Sequence, residues 1–144
     1  KNGEKILLIG KNKIMSIFSG PEIIIRNHSS EQLFNKLSNL NNLESILPEE
    51  IEDFHSNENQ CSFKMKGMPK LTLSISKKIP FSQITLVAEN SPIDFSLNCF
   101  ISNIKEECRV RIEVNAELNM MMRMMAEKPI TNFINILSKK LESI

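Results

Sequence analysis

Apolar and polar residues alternate along much of this chain, and changes in their period divide it into elements. Ser16 to Asn27, with its "EIIIRN", is rich in β-branched residues and predicts a first strand, bent or at an edge because Gly20-Pro21 interrupts it. In "HSSEQLFNKLSNL" the period lengthens to three and four. Leu33, Phe34, Leu37 and Leu40 form one stripe, and Ser29 with Gln32 has the spacing of a capping box, so Ser30 to Leu40 is expected to be helical. A second short helix is expected over Leu43 to Leu47, capped by Asn41 or Asn42 and closed by Pro48.

Beyond Pro48 the period falls to two. Ile51 to His55 reads as a strand. Inward sets then follow at Cys61, Phe63 and Met65; at Leu71, Leu73 and Ile75 after a turn at Gly67-Met68-Pro69; at Ile84, Leu86 and Ala88; at Phe95, Leu97, Cys99 and Ile101; and at Val110, Ile112, Val114 and Ala116. Short turns make such neighbours antiparallel, and a sheet with one apolar face needs a cover, for which only the C-terminal segment is left. There Leu118, Met122, Met125, Pro129, Phe133, Ile136, Leu137, Leu141 and Ile144, with Met121 alongside, fall at helical steps and predict one apolar face. Pro129 is expected to kink or break the helix, leaving Thr131 to Ser143 as its longest part.

The 144 residues suit one domain with its own core. Eighteen Lys and Arg against seventeen Asp and Glu, well mixed, exclude a basic stripe and with it a nucleic-acid partner. Cys61, Cys99 and Cys108 lack the close pairing of a zinc site and the even number of a disulfide scaffold, so a reduced, cytoplasmic protein is expected. No apolar run is long enough for a membrane helix, and no leader peptide is expected. Nothing in residues 1–14 builds a full amphipathic element. Met15 is the expected start, residues 1–14 a dispensable and poorly ordered extension, and residues 15–144 the single domain.

Composition adds one peculiarity. "LNMMMRMMAEKP", Leu118 to Pro129, holds five of the eight methionines. Copper(I) would accept thioethers, but no His or Cys stands beside them, and a membrane-surface helix would carry more base than Arg123. Core packing and the wall of an adaptable apolar pocket fit better, since Met is flexible and polarizable.

The order of one strand, two helices, six strands and a long helix resembles the helix-grip fold of the SRPBCC superfamily, with its START-like and pollen-allergen-like domains. "NLNNLESILPEEIEDF", "KMKGMPKLTLSI", "PIDFSL" and "ELNMMMRMMAEKPITNFINIL" resemble a bacterial branch of it, near the polyketide cyclase-like families and those like a small carbon monoxide dehydrogenase component. The resemblance implies an α+β fold in which a seven-stranded antiparallel sheet wraps around the long C-terminal helix. It also implies an apolar cavity between them for a hydrophobic small molecule: a lipid, an isoprenoid or a polyketide-like compound. Met121, Met125, Phe133 and Leu137 would form the helix side of that cavity. Phe63, Met65, Leu73, Ile75, Leu86, Phe95, Leu97, Cys99, Ile112 and Val114 would form the sheet side.

Catalysis needs a placed acid or base, and none of these positions supplies one. His28 and His55 read as exposed or capping residues, Asp94 and Glu113 fall on the polar face, and Cys108 is expected in a turn. The acidic Glu49, Glu50, Glu52 and Asp53 lack the glycine turn of a calcium loop. No catalytic residue, metal or cofactor is therefore assigned. The expected function is binding or carrying a hydrophobic ligand as a monomer or weak homodimer, without stable membrane insertion. A polyketide cyclase or dehydratase-like enzyme and a ligand-free interaction domain are the alternatives.

Overall fold

Alternation in sequence becomes alternation in space most clearly on the longest strand. In the computed structural model, which describes residues 5–9, 13–65, 69–91 and 93–144, strand β9 runs Glu107–Leu118 and buries every second residue from Cys108 to Leu118. Cys108 is thus a core residue of β9, 4% exposed, not a turn residue as expected. The true turn is Lys105-Glu106, where φ values of 53° and 65° give the left-handed pair that closes a two-residue hairpin. That hairpin returns β9 onto β8 (Phe95–Ile104).

The remaining strands are β1 (Lys5–Ile9), β2 (Lys13–Ser19), β3 (Ile23–Ile25), β4 (Glu52–Ser56), β5 (Gln60–Lys64), β6 (Leu71–Ile79) and β7 (Gln83–Ala88). All pairings are antiparallel, in the order β1-β2-β9-β8-β7-β6-β5-β4, and β3 also pairs with β9. Among the described residues the count is nine where seven were expected. One extra strand is the expected first strand split at Gly20-Pro21, whose halves β2 and β3 both lie on β9. The other is β1, which pairs with β2 inside the segment read as an extension. Lys13 and Ile14 of that segment begin β2, and Ile14 is buried opposite Leu118. The expected turn at residues 67–69 and the rest of residues 1–12 fall largely outside the described residues.

Helix α1 (Ser30–Leu37) starts as its spacing requires: Ser29 Oγ accepts from the Gln32 amide at 3.1 Å, and Gln32 Oε1 accepts from the Ser29 amide at 2.9 Å. The second short helix is a 3-10 turn at Leu40–Leu43, earlier than expected. Asn39 caps it, accepting from the Asn41 amide, while Asn42 instead donates to the Lys36 carbonyl at the end of α1.

Helix α2 spans Met120–Glu142 without a break, so Pro129 ends nothing. Its buried face is Arg123, Ala126, Ile130, Phe133, Ile134, Leu137, Ser138 and Leu141. The expected face was therefore rotated at its N-terminal end. Ala126 and Arg123 turn inward, a small residue and a long one whose stem packs apolar surface, and the thioethers at 121 and 125 turn out. α2 packs on β9, β2 and β3, and one core joins it to α1 and the sheet. Among the described residues no helix is long and apolar enough to cross a membrane.

Candidate functional site

The end of β9 launches the helix that roofs the site. Leu118 is the last strand residue, and Asn119 caps α2 with Oδ1 accepting from the Met122 amide at 2.7 Å. At this end of the sheet β6 and β8 begin and β7 and β9 finish, so the first turns of α2 hang over a row of strand ends. Between them lies a cleft of about 500 Å³. Its floor is the buried apolar set Leu71, Phe95, Ala116, Leu118, Ala126 and Ile130, with Ile93 and Met122 half-buried. Its rim is polar on the sheet side, with Gln60, Lys70, Glu89 and Asn90 exposed and Thr72 and Ser91 half-buried. The Glu89 amide donates to the Thr72 carbonyl at 2.8 Å, tying β7 to β6 there.

A second, smaller space lies beside the C-terminal half of the helix. It holds about 50 Å³ and is walled by apolar side chains of the 3-10 turn, β7, β8, β9 and the C-terminal half of α2. Of the residues expected to line a cavity, Leu86, Leu97, Cys99, Ile112 and Leu137 line this inner space. Phe95 and Met125 line the outer cleft, Met125 at its mouth with 72% of its surface exposed. Phe63, Met65, Leu73, Val114 and Phe133 are buried in the core, and Ile75 packs at its margin. Met121 stands in solvent, 72% exposed, and lines neither space. The cleft residues left out of the expectation carried a usable signal: Leu71, Ala116 and Leu118 continue the inward period, and Ala126 is a small residue on an otherwise bulky helix. The polar rim carried none, since it is assembled from residues of β5 and β6 and of the loops before β6 and after β7.

Titratable groups are sparse inside. Burial pushes the Cys61 thiol up to about 11. Burial, with a smaller contribution from Cys108, pushes Cys99 up to about 12, so neither supplies thiolate near neutral pH. His55, Asp94 and the Glu49, Glu50, Glu52, Asp53 group are exposed, and Glu113 lies on the outer sheet face, accepting from Arg111 at 2.9 Å. His28 belongs to a different recess of about 470 Å³ beside Arg26, Glu106 and Glu107. Among the described residues no group of three His, Cys, Asp or Glu is placed to hold a metal. Among the described residues Lys70 and Glu89 are the ionisable side chains at the cleft.

This geometry has relatives among solved structures. A protein of Thermus thermophilus matches with TM-score 0.67 at 16% identity, over 88% of this chain and 94% of that one. Norcoclaurine synthase from Thalictrum flavum matches with TM-score 0.65 at 11% identity, over 96% of each chain. The likeness is one of fold: an antiparallel sheet with a long C-terminal helix, the helix-grip arrangement. Aha1 from Colwellia psychrerythraea, a dimer in solution, matches with TM-score 0.60 at 16% identity, over 86% of this chain and 92% of that one. No protein-family model and no curated protein matches the sequence. Identities this low establish the helix-grip architecture and leave the ligand to be argued from the site.

Proposed function

We propose that this protein binds or carries a hydrophobic small molecule, a lipid, isoprenoid or polyketide-like compound, in the cleft under the N-terminal half of α2. The supporting observation is the cleft's size and lining. About 500 Å³ lies within the range of roughly 300 to 1,000 Å³ usual for small-molecule sites, with an apolar floor and a few polar groups on one side. Such a lining suits a ligand with an apolar body and a polar end, the body on Phe95, Ala126 and Ile130 and the end toward Lys70, Thr72 and Asn90. The inner space of about 50 Å³ is too small to hold a ligand of that class by itself. A cytoplasmic setting and a monomeric or weakly dimeric state belong to the same reading; three unpaired cysteines support the first.

Thermal denaturation with fatty acids, isoprenoid alcohols and aromatic polyketides tests the proposal. A ligand bound only by the folded state at a hundred times its Kd adds about 2.7 kcal/mol. For a chain of this size that raises Tm by roughly 5 to 10 degrees. Ala126→Trp fills the floor and should abolish the shift. A panel that moves Tm for neither protein counts against ligand binding and for an interaction domain.

A further inference from the structure

The outer cleft and the inner cavity lie end to end, and three elements pass from one to the other within a short step. On β8 the step is from Phe95 to Leu97, adjacent inward positions on one strand. On β9 it is from Ala116 to Ile112, with Val114 between, and on α2 from Ile130 to Leu137, with Phe133 between. Inward neighbours on a strand are about 6.6 Å apart, so a single layer of side chains divides the two spaces. Val114 and Phe133 belong to that layer, 0% and 5% exposed. Across from Phe133, Phe63 of β5 lies parallel to it, ring centroids 6.2 Å apart and planes inclined by 13°. Phe63 is 2% exposed and pairs with Leu71, a floor residue of the cleft.

Resting on the cleft reading above, we propose that the Phe63–Phe133 stack is the end stop of the ligand site and sets the length of apolar chain it accepts. The short, β-branched Val114 is held by its strand, whereas Phe133 projects its ring from a helix into the packed layer between the two spaces. Shortening that ring joins the cleft to an already apolar cavity walled by Leu97, Ile112 and Leu137. The added depth takes more methylenes of the same ligand class.

The test measures Kd for saturated fatty acids from about eight to sixteen carbons, by displacement of a fluorescent apolar dye, in the unaltered protein, Phe133→Ala and the milder Phe133→Leu and Phe63→Leu. While methylenes are being buried, affinity should rise about fourfold per carbon. In the unaltered protein the rise should stop at a definite length. Phe133→Ala should move that stop two or more carbons longer, with Phe133→Leu and Phe63→Leu between. The same stop in all four proteins overturns the end-stop role and leaves cleft binding standing. Acids bound only by the shortened variants support the partition and overturn the cleft reading for the natural protein. Acids bound by none of them overturn both.

Discussion

Gly20 and Ile134 meet so closely that a Cβ on Gly20 would stand 2.6 Å from Cγ2 of Ile134 and 3.0 Å from Oγ of Ser138. The bend between β2 and β3 is pressed against α2, with the Gly20 amide donating to the Ile112 carbonyl at 2.9 Å. Ile134 is β-branched and buried in a helix, where one rotamer is strongly preferred, so its Cγ2 has little freedom to move aside. Gly20→Ala should therefore cost about 1 to 3 kcal/mol. Adding Ile134→Ala should cost less in the Gly20→Ala background than in the natural chain, a coupling that urea denaturation of the four proteins measures. Additive losses would show that the bend yields instead.

That contact shows what the sequence could and could not disclose. Gly20-Pro21 marked the bend, and the alternation from Val110 to Ala116 marked a strand, because both depend on local chemistry. So did the Ser29 and Gln32 cap, which the structure reproduces atom for atom. The face of α2 near Met121 to Met125 was not legible. Five methionines among seven residues from Met120 make every direction look apolar, and the choice is made by how closely Ala126 lets the helix approach the sheet. The cleft was legible in half, through inward strand positions. Its polar rim joins residues 60, 70, 72 and 89–91, which only the folded strand order brings together.

The outward methionines should oxidise first. Met120, Met121, Met124 and Met125 are 56%, 72%, 71% and 72% exposed, whereas Met65 is buried at 7%. Mild peroxide should convert those four to sulfoxides well before Met65, as peptide mass spectrometry can follow. Their conversion should leave Tm nearly unchanged, since exposed substitutions usually act within about 0.5 kcal/mol. Early loss of folding would place their thioethers in the core after all.

Residues 1–12 we propose to be dispensable for folding. β1 is an edge strand, touching the sheet through β2 alone. Deleting residues 1–12 should lower Tm by only a few degrees. Deleting through Ile14 should cost more, because Ile14 is buried opposite Leu118 and a fully buried Ile is worth about 1.5 to 3 kcal/mol. Equal losses from the two deletions would assign the stabilising contacts to β1 itself.

The buried thiols predict an alkaline limit to stability. Cys61 and Cys99 rise from a usual value of 9.0 to about 11 and about 12, chiefly through burial. In the unfolded chain both thiols lose their protons near pH 9, while the folded chain still holds them. The unfolded state then binds fewer protons, and stability falls as pH rises. The contribution is whole below about pH 8.5, declines from pH 9, and is spent once the pH has passed the folded values near 11 and 12. A Cys61→Ala, Cys99→Ala variant should be less stable at pH 7, through the cavities it opens, yet lose less further stability between pH 9 and 11. Urea midpoints measured across that range decide it: parallel declines in both proteins would show that these two thiols do not set the alkaline limit.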